Sequence, residues 1–258
     1  MIVDLGPVAL HYEMDGGTAG GTGLPFVLSH GVIENAASWA DVVPMLARHH
    51  RVVTYDARGR GTSTGDAWPF AYADLATDVE CLAAHLGFDR LYHAGHSMGA
   101  RVALEHALAY PGRVGGIALV SGRATRPDAA GRRRLADLAA QVERAGPGAG
   151  VALWAHPGEP VYDRAEAIAA ANPKDGTVLA LQTLVEMDDL LPELGRVHVP
   201  VLVVVGDRDE SYVASAREMA GALPDATLHV LEGVGHFPNL ECPELLATLL
   251  VAHAARCR

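Results

Sequence analysis

The stretch 91-LYHAGHSMGARVALEHA-107 decides how the rest of the chain is read. An apolar run with strand character ends at Gly95, Ser97 follows two places later, and Gly99 opens an Ala- and Leu-rich run with helical spacing. A strand that turns directly into a helix displays one side chain at the tip of a strained turn. Strand and helix then nearly touch, so a Cβ two places before or after the tip would collide, and glycine is required at both. This is the G-x-S-x-G nucleophile elbow. The first amides of the following helix point toward the serine hydroxyl, where the positive helix end favours an anion.

A serine hydroxyl is a weak nucleophile at neutral pH. It needs a base within hydrogen-bond reach, and the base needs an orienting carboxylate. Two later stretches offer them. The segment 206-GDRDE-210 follows an apolar strand run and carries Asp207, Asp209 and Glu210. The segment 233-GVGHFPNLECPE-244 follows the last such run and carries His236. Each candidate follows the carboxyl end of a strand, as Ser97 does, in the chain order serine, acid, histidine. The loop 121-SGRATR-126 follows a strand run as well but holds no acid.

The rest of the chain supplies a scaffold for these ends. Residues 2-IVDLGPVALHYEMDG-16 alternate around a Gly6-Pro7 turn and predict an antiparallel hairpin. A Gly-rich loop, 16–23, follows. Short apolar runs at 25–29, 51–56, 91–95, 115–121, 200–206 and 226–233 predict strands buried on both faces, as in a parallel sheet. Helical patterns alternate with them at 39–49, 72–87, 97–110, 211–224 and 243–255. Strand alternating with helix means βαβ units. The expected fold class is therefore α/β, a doubly wound, mostly parallel, eight-stranded sheet. The alternation breaks between Gly122 and Val199, where only helical patterns occur. Residues 1–122 and 199–258 are expected to form the core, and 123–198 a helical lid over the carboxyl ends of the strands, where open α/β sheets bind ligands.

Composition narrows the function classes. Half of the 258 residues are hydrophobic, 20% are charged, and the formal net charge is −11. An acidic chain repels nucleic acid and anionic membrane surfaces, so neither is expected as a partner. The one basic run, 132-RRR-134, reads as a solvated helix face. Cys81, Cys242 and Cys257 are few, odd in number and far apart, which argues against a disulfide framework and suits a reducing cytoplasm. No Cys lies in a zinc-ligand spacing, so no metal is expected. The first residues have neither a basic start nor a long apolar run, so neither signal peptide nor membrane span is expected.

With 30-HGVIENAASW-39 after the third strand run and 56-DARGRGTS-63 after the fourth, the chain resembles the α/β-hydrolase superfamily from about Gly6 onward, in its cofactor-independent esterase- and lactonase-like branch with a helical lid. The resemblance implies Ser97 as nucleophile and His236 as base. It implies Asp209 as the acid, the last residue of G-x-x-D, and the Val32 and Met98 amides as the oxyanion hole. His30 is expected to hold the oxyanion loop, and His96 to be local polar filling. Asp56, Arg58 and Arg60 are expected to form a turn network. Ile33, Trp154, Tyr162, Met187, Tyr212 and Phe237 are candidates for an apolar substrate pocket. The implied activity is hydrolysis of a small-molecule ester, lactone or thioester through an acyl-enzyme, without cofactor, by a monomer or homodimer. Enol-lactone or C–C bond hydrolysis and perhydrolase chemistry are alternatives on the same triad. Outside enzymes, a ligand receptor on the same scaffold remains. Epoxide hydrolase and haloalkane dehalogenase readings need an aspartate where Ser97 stands.

Overall fold

The computed structural model describes residues 1–16, 23–65 and 69–257. Most of the Gly-rich loop expected at 16–23 lies outside the described residues. The strands are β1 (Ile2–Asp4), β2 (Val8–Asp15), β3 (Phe26–Ser29), β4 (Val52–Tyr55), β5 (Thr64–Gly65), β6 (Leu91–His96), β7 (Val114–Val120), β8 (Val201–Gly206) and β9 (Ala226–Leu231). They form one sheet in the order β1-β2-β4-β3-β6-β7-β8-β9, with β5 pairing β2 off that path. The hairpin β1–β2 is antiparallel, and β2 joins β4 antiparallel. From β4 onward every pairing along the path is parallel. The eight expected strands are thus present, plus the two-residue β5.

The helices are α1 (Val43–Leu46), α2 (Tyr72–His85), α3 (Met98–Ala109), α4 (Ala129–Ala145), α5 (Tyr162–Ala170), α6 (Lys174–Glu186), α7 (Glu210–Ala222), α8 (Pro238–Glu241) and α9 (Pro243–Ala254). Alternation along β3 shows how they flank the sheet. Phe26 and Leu28 pack in one cluster with α1 and α9, while Val27 packs in another with α2 and α3. Successive strand side chains point to opposite faces, so these helices cover opposite sides. The same parity on β7 and β8 places α7 with α3.

Two expectations change. The helix expected over 39–49 is a 3₁₀ turn (Ala36–Trp39) followed by the single turn α1. Pro44 has no N–H to donate and fits only the first turn of a helix, which suits so short an element. The run 226–233 is not buried on both faces. β9 is the edge strand, mostly half-buried, with Val230 41% exposed.

Between β7 and β8 the described chain is helical. α4 packs on α6 and on a 3₁₀ segment (Pro147–Leu153), which packs on α5. Polar contacts tie this segment to the loops at the strand ends. Asn172 Nδ2 donates to the Ile33 carbonyl at 2.9 Å, and Gly61 N–H donates to Asn172 Oδ1 at 2.9 Å. Arg60, fully buried, donates from Nη1 to Thr177 Oγ1 at 2.6 Å. Its burial lowers its pKa to about 9. A Cβ on Gly176 would meet the Gly59 carbonyl, so α6 and the 56–63 loop touch backbone to backbone. The expected network of Asp56, Arg58 and Arg60 therefore divides. Asp56 stays in the turn, accepting from Ala36 and Thr62 N–H. Arg58 leaves it to pair Asp78 of α2, and Arg60 reaches α6.

Candidate active site

Ser97 sits between β6 and α3 with φ 51° and ψ −107°, a left-handed backbone rarely tolerated outside glycine. The glycines around it act as the motif demands, with one refinement. A Cβ on Gly95 would strike the Gly99 carbonyl, which is the expected strand–helix clash. A Cβ on Gly99 would strike the carbonyl of Ser29, at the end of the neighbouring strand β3. The second glycine therefore lets the helix start sit against an adjacent strand.

β6, β8 and β9 end on the same edge of the parallel sheet, and their following loops meet there. His236 Nδ1 lies 2.6 Å from Asp209 Oδ2, and His236 Nε2 lies 3.1 Å from Ser97 Oγ. All three side chains are largely buried. Of the three acids in 206–210, Asp209 faces the imidazole. Asp207 turns away and accepts from Gly233 N–H at 2.8 Å, and Glu210 is exposed. A hydroxyl, an imidazole and a carboxylate in series can move one proton from oxygen to nitrogen and hold the resulting imidazolium.

Val32 and Met98 are both buried beside this row. Met98 is the first residue of α3, where an N–H has no acceptor inside the helix. Among the described residues neither the Val32 nor the Met98 N–H has a hydrogen-bond acceptor. His30 holds this loop from beneath. Its Nδ1 donates to the Gly31 carbonyl at 2.8 Å, and its Nε2 accepts from Ala57 N–H at 3.0 Å. Burial lowers its pKa, which keeps it in the neutral form this arrangement needs.

His96 does more than fill space. Its Nδ1 lies 2.7 Å from Glu34 Oε2, and its Nε2 lies 2.7 Å from the carbonyl oxygen of His236. Glu34 also accepts from Gly31 N–H at 2.6 Å and from Asn239 Nδ2 at 3.2 Å. Burial alone would raise the Glu34 carboxyl, but the His96 charge and these hydrogen bonds hold it at about 2. Burial alone would lower His96, yet Glu34 raises it above its ordinary value. Glu34 and Asn239 were not among the residues expected at the site. The sequence marks Glu34 only as the one acid in 30-HGVIENAASW-39, without its partners.

The pocket candidates separate. Ile33, Trp154 and Phe237 line a tight pocket that also contains Ser97 and His236. The Trp154 indole stacks on the His236 ring at 5.3 Å and 13°. Tyr212 lies 4.6 Å from the same ring, its hydroxyl in reach of Ser97 and Trp154, and burial raises its pKa. Met187 is buried but lines neither this pocket nor the larger cleft, and Tyr162 lines neither. They belong to packing within the helical segment, Tyr162 from the start of α5 and Met187 from just past the end of α6. The larger cleft, about 880 Å³, opens from Asp209, Tyr212 and His236 toward α4 and α5. It is not the apolar pocket expected, because Arg123, Arg134, Arg164 and Arg208 stand on its walls.

Comparison with known proteins bears on the fold and family. The pattern of the Alpha/beta hydrolase family matches residues 26–249. A protein of Pseudomonas syringae pv. syringae named "Putative carbamate hydrolase RutD" is 31% identical over 232 residues, 84% of this chain and 88% of that protein. A thermophilic esterase from Thermogutta terrifontis superposes with a TM-score of 0.87 at 26% identity, covering 96% of this chain and 94% of that one. The enol-lactonase from Burkholderia xenovorans superposes with a TM-score of 0.88 at 25% identity, covering 99% and 100%. With its sheet order, its elbow and the family match over most of its length, this chain belongs to the alpha/beta hydrolase family and is a hydrolase of its esterase- and lactonase-like branch.

Proposed function

We propose that the chain hydrolyses a carboxylic ester or lactone through an acyl-enzyme on Ser97. The observation that carries this reading is the His236 ring set between Asp209 at 2.6 Å and the elbow hydroxyl at 3.1 Å. Ser97 Oγ attacks the carbonyl carbon as His236 Nε2 takes its proton. The Val32 and Met98 amides receive the oxygen that becomes negative, and each such donor is worth about 10²–10³ in rate. His236 then gives its proton to the leaving alcohol. In the second half, His236 draws a proton from water, the water oxygen attacks the acyl carbon, and Ser97 regains its proton as the acid leaves. Asp209 orients the imidazole and stabilises its charged form without itself taking the proton. No step calls for a cofactor. The helical segment 123–198 serves as the cap that sets substrate size, supported by Trp154 lying over His236.

A second reading is hydrolysis of a carbamate, favoured by the name of the relative at 31% identity. The same attack applies, with a carbamoyl-serine in place of the acyl-serine. The test is turnover of p-nitrophenyl esters of graded acyl length, simple lactones and a p-nitrophenyl carbamate, with Ser97→Ala beside the unaltered protein. Ester or lactone turnover lost in the alanine variant supports the first reading. Turnover of the carbamate alone supports the second. Failure of a fluorophosphonate to label Ser97 removes both.

A further inference from the structure

We propose that Arg123 forms an anion subsite in the large cleft, and that the substrate carries a carboxylate which this guanidinium receives. The inference rests on the hydrolase reading above and narrows its substrate class.

Arg123 follows β7 and lines the cleft that opens from His236. Its Nε is buried and has no hydrogen-bond partner. Among the described residues no carboxylate lies within ion-pair distance of its guanidinium, whose Cζ lies 5.3 Å from the centroid of the Tyr212 ring. A partly buried guanidinium has five donors and a permanent charge. Leaving such groups unpaired away from water is costly. The other charged groups on the same walls differ in this respect. Arg164 pairs Asp41, and Arg134 and Arg208 are exposed. Of the acids on the cleft walls, Glu210 is exposed to solvent and the other three are engaged. Asp209 faces His236, Glu159 accepts from His156 N–H, and Glu241 accepts from Gly235 and Phe237 N–H. Arg123 is therefore a half-buried cation of the cleft with no ion-pair partner among the described residues.

Its position relates it to the chemistry. Guanidinium, phenol ring and imidazole follow one another, with Tyr212 between Arg123 and His236. A short chain whose carbonyl sits at Ser97 can place a carboxylate beyond Tyr212, against Arg123. Planar, bidentate pairing with a carboxylate is the geometry a guanidinium favours. In this reading the two Nη groups, which have no acceptor among the described residues, are the donors that meet a ligand in the cleft, while the buried Nε faces protein.

The experiment measures binding first, so that it stands apart from turnover. The Ser97→Ala chain is titrated by calorimetry with monomethyl esters of butanedioic, pentanedioic and hexanedioic acid, and with the methyl esters of the matching unbranched monoacids. At least one charged ester is expected to bind about tenfold or more tightly than its neutral counterpart. The preference is expected to collapse in Ser97→Ala/Arg123→Met and to return in part in Ser97→Ala/Arg123→Lys. Equal affinities, a preference that survives Arg123→Met, or no binding by any ester overturns the subsite. Fluorophosphonate labelling of Ser97 in the unaltered protein reports on the hydrolase reading separately. Labelling without charge preference removes the subsite alone, and charge preference without labelling removes the hydrolase reading alone.

Discussion

His96 Nε2 lies 2.7 Å from the carbonyl oxygen of His236, so the residue before the elbow serine holds the main chain of the candidate base. A carbonyl oxygen only accepts, so this nitrogen carries a hydrogen. The other ring nitrogen faces Glu34, whose Oε2 already accepts from Gly31 N–H. The arrangement is satisfied by an imidazolium facing a carboxylate, at 1% and 3% exposure. The pair joins the oxyanion loop, the elbow and the histidine loop.

Stability should depend on pH through this pair. The Glu34 pKa is depressed from 4.5 to about 2, so its contribution is complete above pH 4.5 and lost as pH falls toward 2. The His96 pKa is raised above 6.5, so its contribution is complete below pH 6.5 and lost as pH rises through the raised value. The pair stabilises most between those two ordinary values. Glu34→Gln leaves a buried cation without its partner and should cost about 3–5 kcal/mol near pH 6. Urea midpoints across pH measure this. A loss below about 1 kcal/mol, with an unchanged pH profile, would show that the pair is not ionised.

Asp209→Asn should lower kcat by about 10⁴ while the chain stays folded, because the amide favours the wrong imidazole tautomer. Asp207→Asn, two residues away, keeps an oxygen that can accept from Gly233 N–H at an exposed site and should cost about 1 kcal/mol or less of stability. Steady-state kinetics and melting curves of the two variants check the assignment. Equal kinetic damage would contradict it.

Gly99→Ala should destabilise the protein by about 3 kcal/mol or more, since the new methyl meets rigid backbone of β3. Gly87→Ala offers the contrast. Its space is open, but its φ of 69° strains any side chain, so a cost of about 1–2 kcal/mol is expected from conformation alone. Denaturant midpoints of the pair separate steric clash from backbone strain.

Trp154→Ala should shift the acyl-length optimum toward longer chains, because the indole closes the tight pocket over His236. A series of p-nitrophenyl esters measures it. An unchanged optimum would place the size limit elsewhere.

Much of this was legible from short range. The elbow could be read from Gly95, Ser97 and Gly99 because its constraint is steric, local at Gly95 though set by Ser29 of β3 at Gly99. The strand ends could be read because runs such as 200-PVLVVVG-206 are buried on both faces. The role of Glu34 could not be read. It depends on His96, 62 positions away, and on Asn239, 205 positions away. Met187 was misplaced for the same reason, since it follows α6 and what it meets within the helical segment is set by residues distant in sequence. The shortness of α1 was visible in Pro44, and the helical spacing around it misled.

The Ser97–His236 contact closes a loop of 139 residues, and the strands that carry both residues pair in parallel register across β7 and β8. Contacts of such long range form late, because loop-closure entropy is spent before they give any return. In refolding, helical signal should therefore return before Ser97 becomes reactive. A fluorophosphonate added at timed intervals would act as a clock for the final docking of the histidine loop, reporting a stage of assembly that circular dichroism passes over.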